Sequence, residues 1–152
     1  MEVKVFANKN INPTGIKVTK KEIFVFNVSG LWKDLMIESD ANGWNGKTVF
    51  PFAPWIYDNH FLDSQKVFPG ANYMKLIGKV GEISFEIGNA KNLSITMPES
   101  GELTLYANDI PLLYFNNSGF ITVKIEKKII TPINILTPDD PRYTQNKLDP
   151  NS

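Results

Sequence analysis

The chain has no cysteine, one histidine (His60) and one arginine (Arg142) among its 152 residues. Without cysteine, disulfide frameworks, thiolate zinc centres and thiol catalysis are excluded. A lone histidine excludes any metal centre that needs two imidazoles. Lysine supplies 15 of the 16 basic groups, so the side chain best suited to forked contacts with phosphate or guanine is almost absent. The 16 basic groups are balanced by 16 acidic ones. Nucleic-acid binding needs a basic face that displaces counterions, so nucleic acid is not an expected partner. No window approaches the roughly 18 apolar residues of a membrane span. The opening residues, Met1-Glu2-Val3-Lys4-Val5-Phe6-Ala7-Asn8, have neither a basic n-region nor an apolar h-region, so no signal peptide is expected. The expected location is cytoplasmic, with export lacking a cleaved signal as the alternative. What the chain does have is a globular balance, 42% hydrophobic and 21% charged, at the length of one domain.

The patterning has a period of two. Gly81 to Gly88 alternates with Ile83, Phe85 and Ile87 on one face, and Phe120 to Glu126 alternates with Ile121, Val123 and Ile125. Both predict half-buried strands. Glu22 to Val28 is apolar at nearly every position and predicts a strand covered on both sides. Further strands are expected at 2–7, 15–19, 47–50, 73–78, 92–97 and 102–107, punctuated by Asn12-Pro13-Thr14-Gly15, Pro69-Gly70 and Pro98-Glu99-Ser100-Gly101. Eight or nine short strands and no convincing amphipathic helix predict an all-β, antiparallel β-sandwich. At most one short helix is expected, within 31–68. Ile83, Phe85, Ile87, Leu103, Leu105, Ile121, Val123 and Ile125 are the expected core.

Two stretches break this rhythm. Residues 31–68 are long and irregular and carry Trp32, Trp44, Phe50, Phe52, Trp55, Tyr57, Phe61 and Phe68. A loop of that length is either functional or packed as an extra layer. Its acids, Asp34, Glu38, Asp40, Asp58 and Asp63, are scattered, and no feature pairs any two of them as a glycosidase requires. Residues 131–152, with Pro132, Pro138, Pro141 and Pro150, read as a C-terminal extension, poorly ordered beyond Pro138.

The densest polar segment is Asn108-Asp109-Ile110-Pro111-Leu112-Leu113-Tyr114-Phe115-Asn116-Asn117-Ser118-Gly119, between the strands expected at 102–107 and 120–126. A carboxylate and two carboxamides stand at the mouths of one loop. Calcium takes six to eight oxygens from carboxylates, amides and carbonyls, and Asp109, Asn116 and Asn117 offer three of them. Spacing alone favours the simpler reading, that Asn and Asp build the turn.

The sequence Leu105-Tyr106-Ala107-Asn108-Asp109-Ile110-Pro111, then Tyr114, then Asn116-Asn117-Ser118-Gly119, resembles the calcium loop of the soluble, galactose-specific bacterial lectins of the LecA-like type. Phe68-Pro69-Gly70-Ala71, Met74 to Gly81, and Gly30 with Trp32 resemble further elements of that family. The resemblance spans roughly 2–126 and is specific over 70–126. It implies a galactose-binding-like jelly-roll sandwich over 1–130, with no enzymatic activity, that binds galactosides through one calcium ion. Family members are commonly homotetramers, so a homo-oligomer is a candidate state. By position, Asp109, Asn116 and Asn117 match side-chain calcium ligands. Leu113 and, near the Gly-Trp element, Leu35 match backbone-carbonyl ligands. Asp109, Asn116 and Ile110 match residues that contact the sugar. Tyr57 and His60 fall where the family grips the outer hydroxyl. His60 with Asp58 and Asn59 is either a rearranged substitute or an ordinary surface histidine. Leu112, Leu113 and Phe115 are bulkier than the family's loop, and Phe115 could occlude the sugar or stack on it. The alternative implied by that bulk is a sandwich that has lost sugar binding and serves as a protein-interaction subunit of a bacterial secretion or virulence assembly.

Overall fold

The computed structural model describes residues 1–45 and 60–130. In order they form β1 (Glu2–Phe6), β2 (Asn12–Val18), β3 (Ile23–Asp34), β4 (Ile37–Ser39), the short helix α1 (His60–Gln65), β5 (Leu76–Val80), β6 (Ile83–Glu86), β7 (Leu93–Thr96), β8 (Gly101–Ala107), a 3-10 helix (Pro111–Asn116) and β9 (Asn117–Lys127). One sheet has the order β1-β9-β3-β4, with β7 also paired to β3. The other has the order β2-β8-β5-β6. Every pairing is antiparallel. The two sheets face each other as the β-sandwich that the alternation predicts, and among the described residues of 31–68 the α-helix is the short α1.

The core is the set of inward positions of the two sheets. Val5, Phe26, Val28, Trp32, Ile121, Val123 and Ile125 come from one sheet, and Leu76, Val80, Leu103 and Leu105 from the other. Strand β9 is the spine, pairing along its length with β3 and along its centre with β1. Gly30 permits the long β3–β9 contact. Its φ is +107°, and a Cβ there would stand 3.3 Å from the Ile121 Cα.

Several expectations need correction. Strand β3 does not stop near Val28 but continues through Gly30 and Trp32 to Asp34, because β9 pairs with it to the end. It also alternates in burial rather than being covered on both sides. The strand expected at 73–78 begins only at Leu76. Met74 takes a φ of +61°, which turns the chain, and the Met74 N–H is spent on the Asn108 carbonyl. Ile83 is not core: it is 40% exposed on β6, the edge strand of its sheet, while Phe85 packs against the core and Ile87 is buried. The 3-10 helix was not anticipated.

Part of the long segment does pack as an extra layer. Phe68 and Ala71 cover Ile77 and Tyr106 on the outer face of the second sheet. The strand expected at 47–50 and the extension 131–152 lie outside the described residues. Among the described residues, no helix is long and apolar enough to cross a membrane.

Candidate functional site

Three chain segments converge at one end of the sandwich. The first is the β3–β4 hairpin, where Asp34 pairs with Ile37, so Leu35 and Met36 form the whole turn. Leu35 has a φ of +52°, a strained value for a residue with a side chain, and its N–H donates to the Asn116 carbonyl at 3.1 Å. The second is the end of β8. Asn108 is fully buried and serves as a staple. Its carboxamide accepts from the Phe68 N–H at 2.9 Å and donates to the Phe68 and Asn72 carbonyls at 2.9 and 3.1 Å. The third is the 3-10 helix, started by Pro111 and pinned by Tyr114, whose hydroxyl donates to the Ala107 carbonyl at 2.5 Å.

Asp109 sits between these segments, 1% exposed. One carboxylate oxygen accepts from the Ile110 N–H at 2.7 Å and the other from the Asn117 side-chain amide at 2.8 Å. The Asn117 amide also donates to the Ala7 carbonyl at 3.3 Å. The carboxamide oxygens of Asn116 and Asn117 are buried and have no hydrogen-bond partner. Buried acceptors are normally satisfied, so two orphans beside one carboxylate mark a place where something else can bind.

These groups surround a cavity of about 320 Å³ lined by Asp34, Leu35, Met36, Ile37, Trp44, Leu62, Tyr73, Asp109, Ile110, Leu113 and Asn116. Trp44 stacks on Tyr73, with ring centroids 4.8 Å apart, and the pair forms one wall. Burial, then the charge of Asp109, pushes the Asp34 carboxyl up to about 6, against the weaker opposing pull of the Trp44 indole. Burial also raises Asp109, opposed first by its bond from Asn117, then by the Ile110 N–H and the charge of Lys66. Tyr114 is raised by burial and by the charge of Asp109.

The structure therefore brings together Asp109, Ile110, Leu113, Asn116 and Leu35 around one cavity, with Asn117 bonded to Asp109. Tyr57 lies outside the described residues, as does the side chain of His60, whose backbone opens α1. Leu62 of the same helix reaches the cavity wall. Phe115 does not occlude: it is 81% exposed and is not part of the lining. Sequence reasoning missed Asp34, which it left among scattered acids. A signal was present. Counting in twos from Phe24 through Phe26, Val28 and Trp32 puts Asp34 on the inward face of β3. Asp40 and Asp63 of the long segment build structure. Asp40 accepts from the Asn42 N–H at 2.8 Å and the Asn89 amide at 3.0 Å, and Asp63 pairs with Lys66 at 2.6 Å.

Chemically, the atoms on offer are all oxygen: two carboxylates, the two unpartnered carboxamide oxygens of Asn116 and Asn117, and the carbonyls of a strained turn and a short helix. That set fits a hard divalent cation such as calcium, and it offers no soft ligand for zinc or copper.

Among solved structures, the chain is similar to the N-terminal domain of EclA, a PllA-like lectin. The TM-score is 0.62 at 19% identity, over 84% of this chain and 95% of that one. At that identity the likeness is one of fold, and the fold is a lectin-type β-sandwich. No protein-family profile matches the chain, and no curated protein matches it in sequence.

Proposed function

We propose that this chain is a non-catalytic carbohydrate-binding module that takes a galactoside through calcium held in the cavity beside Asp109. The observation that carries the reading is the pair of buried, unbonded oxygens on Asn116 and Asn117 next to the Asp109 carboxylate. Asp109, Asn116 and Asn117 would hold the ion by their side chains, and Leu35 and Leu113 by their carbonyls. Calcium so bound supplies positive charge and open coordination positions for vicinal sugar hydroxyls. Asp109 and Asn116 orient those hydroxyls by hydrogen bonding, and Ile110 presents backbone and an apolar flank. Tyr57 and His60 are the candidates for the outer hydroxyl. The lectin description of the structural neighbour supports this reading.

The test is a thermal melt in chelator, in calcium, and in calcium with galactose, followed by a glycan array. Stabilisation by calcium and a further gain with galactose are expected. A melt indifferent to calcium and to chelator overturns the reading.

A second reading has its own observation. Leu35, Met36, Phe61, Leu112 and Phe115 are exposed large apolar side chains on the segments that carry the cavity. Such a collar suits a protein-interaction subunit that has lost sugar binding. Calcium binding without any glycan on the array would favour it.

A further inference from the structure

Asp34 lies outside the set of groups assigned to the ion above, yet its position is determined by the fold. It is the last residue of β3, on the inward parity shared with Trp32 and Val28, and it pairs in register with Asn117, the first residue of β9. Its side chain lines the same cavity as that of Asp109. Among the described residues, no lysine or arginine lies within salt-bridge distance of either carboxylate. Two carboxylates facing one partly desolvated cavity repel each other; the charge of Lys66 reaches Asp109, but its ammonium is paired with Asp63, so the arrangement destabilises the fold unless something binds there. An independent feature also points to a ligand. Asn117 is 4% exposed, and its amide nitrogen is spent on Asp109 while its oxygen has no partner.

We propose that Asp34 is a second anionic ligand of the cation, set opposite Asp109 by the last register pair of β3 and β9. The inference rests on the calcium reading and deepens it. With Asp109 alone, a divalent ion keeps one uncompensated positive charge. With Asp34 added, two carboxylates meet two positive charges, and the side chains of Asn116 and Asn117 complete the shell with neutral oxygen. The number of charged ligands is a main determinant of calcium affinity in oxygen sites. The site then discriminates strongly against monovalent ions.

The experiment titrates the full chain with terbium, read by emission sensitised through Trp44 in the cavity wall. Calcium competition gives the calcium affinity. Asp34→Asn and Asp109→Asn should each weaken calcium by about tenfold or more. Glu38→Gln, which removes a half-exposed charge nearby on β4, should change it by less than about twofold. In chelator, Asp34→Asn should melt at or above the parent temperature, because a repulsive charge is gone. A purely structural role for Asp34 would lower that melt instead. If Asp34→Asn binds calcium like the parent while Asp109→Asn does not, the inference is overturned and the calcium reading stands. If the parent takes up neither terbium nor calcium, both fall. Should Asp34→Asn lose the β-sheet circular dichroism of the parent, Asp34→Ser in the same titration decides.

Discussion

Asp34 and Asn117 face each other across the β3–β9 ladder, the last residue of one strand against the first residue of the other. Both are on the inward parity of their strands, where the same ladder pairs Val28 with Val123. The core-forming register therefore ends in a carboxylate and a carboxamide, and the cavity is the polar end of the hydrophobic core rather than a separate construction.

Asp109→Asn should cut calcium-dependent stabilisation by about half or more while leaving the chelated fold intact, since it removes charge and nearly preserves shape. The parent should gain about 2.7 kcal/mol at one hundred times Kd. Paired melts in calcium and in chelator measure this, and a variant that keeps the parental gain would remove Asp109 from the site.

The pH dependence follows from Asp34, whose carboxyl is pushed up to about 6, chiefly by burial and then by Asp109. The unfolded value is near 3.9, so the folded state holds this proton more tightly between about pH 4 and 6. The resulting stability is fully present below the unfolded value and is lost as pH rises through 6. In chelator, the melting temperature of Asp34→Asn relative to the parent should therefore rise between about pH 4 and pH 7. Asp109, also raised, acts in the same direction. A constant difference across that window would show that Asp34 titrates normally.

Leu35 is exposed and strained at a φ of +52°. Asn tolerates that region better. Leu35→Asn should stabilise by about 1 kcal/mol and leave calcium affinity unchanged, because only the backbone of residue 35 is assigned to the ion. Weaker calcium binding by this variant would mean that the side chain matters.

Much of the fold was legible in the residues. Clean alternation identified β6 and β9, and in β9 one face is packed while the other is wet. The long reach of β3 was hidden by Gly30, which reads as a breaker until its close approach to Ile121 is known. Met74 shows no local sign of its left-handed backbone, so β5 was placed early. The site was legible through Asp109, Asn116, Asn117 and Leu113, which lie within one short segment. Asp34 joins them only through long-range register, which no short motif encodes.

The corrected core gives a paired test. Ile121→Ala should cost about 2–5 kcal/mol, since its side chain is fully buried. Ile83→Ala should cost within about 0.5 kcal/mol, as for an exposed position. Urea denaturation of both variants checks the register, and similar losses at the two sites would contradict it.

Gly43→Ala should damage the cavity wall. The glycine has a φ of +72°, and a Cβ there would lie 1.9 Å from the Tyr73 carbonyl oxygen, which accepts from the Trp44 N–H at 2.8 Å. A destabilisation of about 1–3 kcal/mol and reduced terbium emission through Trp44 are expected. A variant unchanged in both would show that the segment shifts freely.

Among the described strands β9 is the last to be synthesised, and it lies between β1 and β3. Until it arrives, β1 has no partner among the described strands of its sheet, and the inward faces of β1 and β3 stand apart. A chain still emerging from the ribosome thus has Asp34 but no Asn117 opposite it, and no cavity. Closure must span more than eighty residues of intervening sequence, which predicts slow, late and cooperative folding. On the proposed calcium reading, ion capture therefore waits for β9, and nascent or truncated forms lacking β9 should not compete for the metal.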